Sequence, residues 1–180
     1  AVNDARTLAE ALAQAGEDIY ASVEITFLED DAVTHAGLEE AFRTLGRRVR
    51  PEDVFVFFIA GHGVTQDGRY YFLPQDFRVA GDDPISAGGI RQEDFQRWIS
   101  YVPAEKSILL FDTCESGTLT RDPTTRGLER ITALERLTRS IGRTIMTAST
   151  DTEPAIEGYR GHGLFTFTLL EALVSSDDDG

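Results

Sequence analysis

Two residues of this sequence are placed for thiol chemistry. Cys114, the single cysteine, follows the apolar run 108–111 inside Asp112-Thr113-Cys114-Glu115-Ser116-Gly117. His62 follows the apolar run 54–59 inside Ala60-Gly61-His62-Gly63. A free thiol with a pKa near 8.5 is only a few per cent thiolate at neutral pH, so a neighbouring imidazole helps to deprotonate it and later protonates a leaving amine. Glycine on both sides of His62 lets backbone and substrate approach without an intervening Cβ. Sulfur attack on a carbonyl builds an oxyanion, which needs fixed N–H donors about 3 Å away. The amides of Gly63 and Cys114 are the natural donors.

Such a pair is useful only if the chain brings both residues to one place. The run 54–59, Val-Phe-Val-Phe-Phe-Ile, has the composition of a central strand buried on both faces, and Ile-Leu-Leu-Phe at 108–111 reads the same way. Helical spacing of apolar residues predicts helices over 5–15, capped by Asn3-Asp4, over 38–49, 95–102 and 128–141, and from Phe165 to Leu173. Val23, Ile25 and Phe27 alternate as a strand does, and 144–148 is a further strand. Asp67-Gly68 marks a hairpin turn within 64–72, while 81–89 and 115–126 read as loops. Strands alternating with helices imply an α/β layer fold on a mostly parallel sheet, whose functional residues lie beyond the carboxyl ends of the strands. His62 and Cys114 both sit at such ends.

Composition narrows the function. With 31 acidic against 17 basic residues the net charge is −14, which repels phosphate backbones and argues against nucleic-acid binding. No apolar run approaches the roughly 20 residues that span a bilayer. One cysteine excludes an internal disulfide or a multi-cysteine zinc site and fits a reducing, cytoplasmic setting. The acidic clusters Glu29-Asp30-Asp31, Asp82-Asp83 and Asp177-Asp178-Asp179 lack the spacing of an EF-hand loop and read mainly as solvated charge.

The two motifs together resemble the dyad signature of the caspase/metacaspase group. Phe58-Ile59-Ala60-Gly61-His62-Gly63 is followed, 52 residues after the histidine, by Asp112-Thr113-Cys114-Glu115-Ser116-Gly117, and about 50 residues separate His and Cys in caspases. Tyr71-Phe72-Leu73-Pro74 with Asp76 resembles the segment after the family's histidine, Asn3-Asp4-Ala5 the start of its first helix, and Gly161-His162-Gly163-Leu164-Phe165-Thr166 the entry to the last helix of prokaryotic members. Glu115 stands where many metacaspases have His. The family's first strand, expected before Asn3, is not in the sequence, which implies chain segments outside it.

The resemblance implies a caspase-like three-layer sandwich over residues 1–174 with a frayed acidic tail at 175–180. It further implies a cysteine endopeptidase acting on polypeptides through Cys114 and His62, with no required cofactor and with Ca²⁺ activation as an option. His162 also lies in Gly-His-Gly but precedes a helix, so His62 is the preferred base; His35 is expected at the surface. Metacaspases hold a substrate Arg or Lys with an aspartate at the position of Asp112, and the stretch around Asp151 resembles the one that closes that pocket, with Glu153 a weaker option. A carboxylate suits guanidinium through two parallel charge-assisted hydrogen bonds. A pocket for Asp would need arginines, for which Arg91 and Arg160 are the available residues. Arg121 and Arg126 lie in a polar segment suited to self-cleavage. A catalytically silent regulatory or scaffolding module is the reading from another class, and the presence of both dyad residues opposes it.

Overall fold

The computed structural model describes residues 2–115, 144–147 and 164–175. Its centre is β1 (Val54–Gln66), which carries a run of large apolar side chains and whose backbone is hydrogen-bonded in parallel to β4 (Lys106–Glu115). On the outer side of β4 lies β5 (Thr144–Thr147), also parallel. The chain leaving β1 turns at Asp67-Gly68, both with positive φ, and returns antiparallel as β2 (Arg69–Leu73). Two positive-φ residues between paired strands are the signature of a type I′ hairpin. The two-residue β3 (Ile90–Arg91) completes the order β3-β2-β1-β4-β5. The parallel core expected from the sequence is thus β1-β4-β5, extended by an antiparallel arm.

Helices cover both faces. On one side, α2 (His35–Arg48) and α4 (Gln92–Ile99) pack against the odd-numbered positions of β1 and β4. Thr34 caps α2, its hydroxyl accepting from the Gly37 amide at 3.0 Å. The core here is aromatic: Phe42, Phe95, Trp98 and Phe111 are buried, with Phe57 packed among them. On the other side lie α1 (Val2–Gly16) and α5 (Leu164–Ser175), and the Thr166 hydroxyl of α5 donates to the Asp112 carboxylate of β4 at 3.0 Å. The result is helix, sheet, helix.

Several expectations change. Asn3 and Asp4 lie in the first turn of α1 and not ahead of it. The 81–89 loop contains a short helix, α3 (Pro84–Gly88), where Asp83 caps by accepting from the Ser86 amide. Val23, Ile25 and Phe27 form no strand: the segment has no ladder partner among the described residues, and all three side chains are exposed. Alternation supplies a face for a strand, whereas the strand itself exists only when a neighbour takes its hydrogen bonds. Both β1 and β4 run past their apolar stretches, so His62 and Cys114 lie inside strands and not in loops beyond them. Ser175, expected at the start of the tail, ends α5. The helix expected over 128–141 falls outside the described residues.

Phe95 is fully buried and meets the rings of Phe57, Phe72, Trp98 and Phe111 at centroid distances of 5.6–6.4 Å. Phe95→Ala is expected to destabilise the fold by about 3–5 kcal/mol. Val79, 79% exposed, serves as the control, and its change to Ala should cost less than about 0.5 kcal/mol. Urea unfolding of the two variants checks both values.

Candidate active site

The parallel ladder of β1 and β4 sets the site. Its register runs from Val54 opposite Lys106 to Gly63 opposite Glu115, and within it His62 stands opposite Cys114. Adjacent strands lie about 4.8 Å apart, so the backbones of the histidine and the only cysteine are direct neighbours. His62 is exposed. Of the two described histidines, this one lies on the strand paired with that of the cysteine. His35 opens α2 on the helical layer, exposed as expected, with its ring edge-on to Trp98 at 4.9 Å. His162 lies outside the described residues.

The glycines beside His62 have a packing role. A Cβ on Gly61 would lie 2.9 Å from Phe72 Cε2, and one on Gly63 would lie 2.8 Å from Tyr70 Cε2. Tyr70 and Phe72 belong to β2, on the side of β1 away from β4. Their rings reach over β1 where it has no side chains, and Tyr70 continues to β4, its hydroxyl donating to Thr113 Oγ1 at 3.0 Å. Gly63 itself is buried between Phe72 on one neighbour and Glu115 on the other.

Asp112 is half-buried two positions before Cys114. Burial pushes its carboxyl above the usual aspartate range, the Thr166 hydrogen bond works the other way, and the charge of Asp4 pushes it up further. Asp4, at the start of α1, is itself only 7% exposed. Asp4 on α1 thus lies near enough to Asp112 on β4 for its charge to act there, a neighbour the sequence did not suggest. Asp4 was legible in one respect: it precedes Leu8 by four residues and so stands on the apolar stripe of its helix. An acidic group on an inward face signals a local role. Asp151, Glu153, Arg121, Arg126 and Arg160 lie outside the described residues.

Other charged residues named from the sequence have structural partners. Arg91 donates to the Asp94 carboxylate through Nε at 3.1 Å, at the start of α4. Glu29 takes a forked contact from Arg6, with a shortest distance of 2.7 Å, and the hydrogen bonds from Arg6 hold its carboxyl below the usual range. Asp83 accepts from Gln66 as well as from Ser86. Among the described residues no group of three or more His, Cys, Asp or Glu is gathered as metal ligands, and no helix is long and apolar enough to cross a membrane.

Comparison with known proteins gives one family. No curated protein matches the chain. The model of the caspase domain matches residues 1–179, which is nearly the whole sequence and includes every strand that builds the site. The chain belongs to the caspase-domain family of cysteine peptidases.

Proposed function

We propose that the protein is an endopeptidase that uses a Cys114–His62 dyad and cleaves polypeptides after Arg or Lys. The register pair His62–Cys114 supports the dyad. His62 takes the thiol proton, and the thiolate sulfur bonds to the scissile carbonyl carbon. The resulting oxyanion rests on the amides of Gly63 and Cys114. Collapse breaks the C–N bond, and the imidazolium gives its proton to the departing amine. Water, activated by the neutral imidazole, then hydrolyses the thioester and restores the thiol.

The observation that supports the specificity is the half-buried Asp112 carboxylate, held by Thr166 two positions before Cys114. A guanidinium or ammonium placed beside a partly desolvated carboxylate stabilises its ionised form. By family resemblance Asp151 joins the same pocket. The alternative, a pocket for Asp, has less support: Arg91 is committed to Asp94, and burial of a substrate carboxylate near Asp112 would add a like charge. Self-cleavage at Arg121 or Arg126 and activation by Ca²⁺ are proposed on the resemblance alone, and cytoplasmic residence on the single thiol. The silent-scaffold reading lacks an observation in its favour.

Fluorogenic peptides ending in Arg, Lys or Asp test the proposal. Cleavage is expected after Arg and Lys, and Cys114→Ala should lower it by at least about a thousandfold. Cleavage confined to Asp would reject the basic pocket, and full activity in Cys114→Ala would reject the dyad.

Asp112→Asn separates function from stability. The amide still accepts the Thr166 hydrogen bond but loses the charge, so cleavage after Arg should fall by about 30-fold or more. At pH 7 the thermal midpoint should rise by about 1–3 °C, a modest gain because solvent screens this half-exposed group. The sign follows from the raised folded-state pKa: the protonated form suits the fold, and ionisation weakens it. That cost is absent below the unfolded aspartate value of about 3.9 and develops as pH rises through the folded value. The advantage of Asn should accordingly shrink as pH falls toward 4. Thermal scans at pH 7 and pH 4 check it; a lower midpoint at pH 7 would contradict it.

A further inference from the structure

We infer that Tyr70 is a positioning residue for the dyad, its hydroxyl bond to Thr113 acting as a strap that holds the cysteine-bearing end of β4 against the histidine-bearing part of β1. The inference rests on the dyad reading and adds to it a residue from a third strand.

The geometry points to a purpose-built crossing. Tyr70 pairs with Thr65 on β1, and its side chain slants back over Gly63 to reach β4. Both hydroxyls of the bond, Tyr70 Oη and Thr113 Oγ1, lie 3.1 Å from where a Cβ of residue 63 would stand. Thr113 immediately precedes the nucleophile and faces Gly61 in the ladder, while Gly63 immediately follows the base. The strap therefore ties the backbone next to one reacting group to the backbone next to the other.

The strap is a buried one: its two side chains are almost completely enclosed, Tyr70 at 3% and Thr113 at 4% exposure. Tyr70 is in turn fixed: its amide donates to Gln92 Oε1 at 3.3 Å, and its ring stands edge-on to Phe111 at 6.1 Å. A locked supporting side chain holds a reacting pair to the tolerance that catalysis needs, and a displacement of about 1 Å can cost about a hundredfold in rate.

Tyr70→Phe in the full chain removes the hydroxyl and keeps the ring. On an Arg-ended peptide, kcat is expected to fall about tenfold or more while KM stays within about twofold, because the strap touches no substrate. The pH midpoint for alkylation of Cys114 by iodoacetamide should also rise toward the free-thiol value of about 8.5 as the imidazole loses its fixed distance. Thr113→Val should act in the same way, and Thr113→Ser should retain most of the rate by restoring the acceptor. If Tyr70→Phe fails to fold, the Thr113→Val and Thr113→Ser pair decides. Wild-type kcat and alkylation profile in Tyr70→Phe and Thr113→Val, or a change confined to KM or to the thermal midpoint, would overturn the strap. The same protein with Cys114→Ala serves as control: lost cleavage there alongside a normal Tyr70→Phe would sink the strap and leave the dyad standing, whereas retained cleavage would remove the dyad itself.

Discussion

The parallel pairing of β1 with β4 is the constraint from which the site follows. Ten consecutive residue pairs share one register, and the pair His62–Cys114 is the ninth. A slip of one residue would separate histidine from cysteine and turn every side chain of the moved strand to the opposite face. The core forbids it. Phe55, Phe57 and Ile59 on β1, with Leu109 and Phe111 on β4, are locked among the rings of α2 and α4. The packing that stabilises the sheet therefore also fixes the register that sets His62 opposite Cys114.

Charge works against packing on the other face. Asp112 is half-buried, and its carboxyl is pushed up first by that burial and further by the charge of Asp4. Interiors that serve only stability rarely gather like charges. A pocket that receives a cation gains from the same arrangement, because the ligand relieves a repulsion already present. The surface charge of −14 acts at longer range in the same direction, attracting basic polypeptide toward the molecule. Burial of a carboxylate costs stability locally, a cost that functional sites commonly carry.

The parts of this design differ in how far they can be read from residues alone. Both central strands were legible because fully buried strands need continuous apolar runs, and the turn at Asp67-Gly68 because left-handed backbone favours those residues. The extent of the strands was not: the ladder continues through Gly61-His62-Gly63 and Asp112-Thr113-Cys114, where composition no longer advertises a strand. Val23, Ile25 and Phe27 mislead for the complementary reason, since alternation describes a face and carries no information about a hydrogen-bonding neighbour. Asp4 was visible as a helix-cap residue, while the reach of its charge to Asp112 was not, because it depends on how two distant segments pack.

The glycines around His62 carry the same lesson to the level of a motif. Read as sequence, Gly-His-Gly suggests room for a substrate. In the fold, the missing side chains are replaced by rings from the adjacent strand: Phe72 takes the space of residue 61 and Tyr70 that of residue 63. A Cβ at either place would meet an aromatic carbon at under 3 Å, a distance that close packing does not tolerate. The bare stretch of β1 is what lets Tyr70 cross it and grip Thr113 beside the cysteine. Glycine thus admits a side chain of a third strand to the place where His62 and Cys114 face each other. The Gly-His-Gly and Thr-Cys motifs are two edges of one contact, with the hydroxyl of Tyr70 between them.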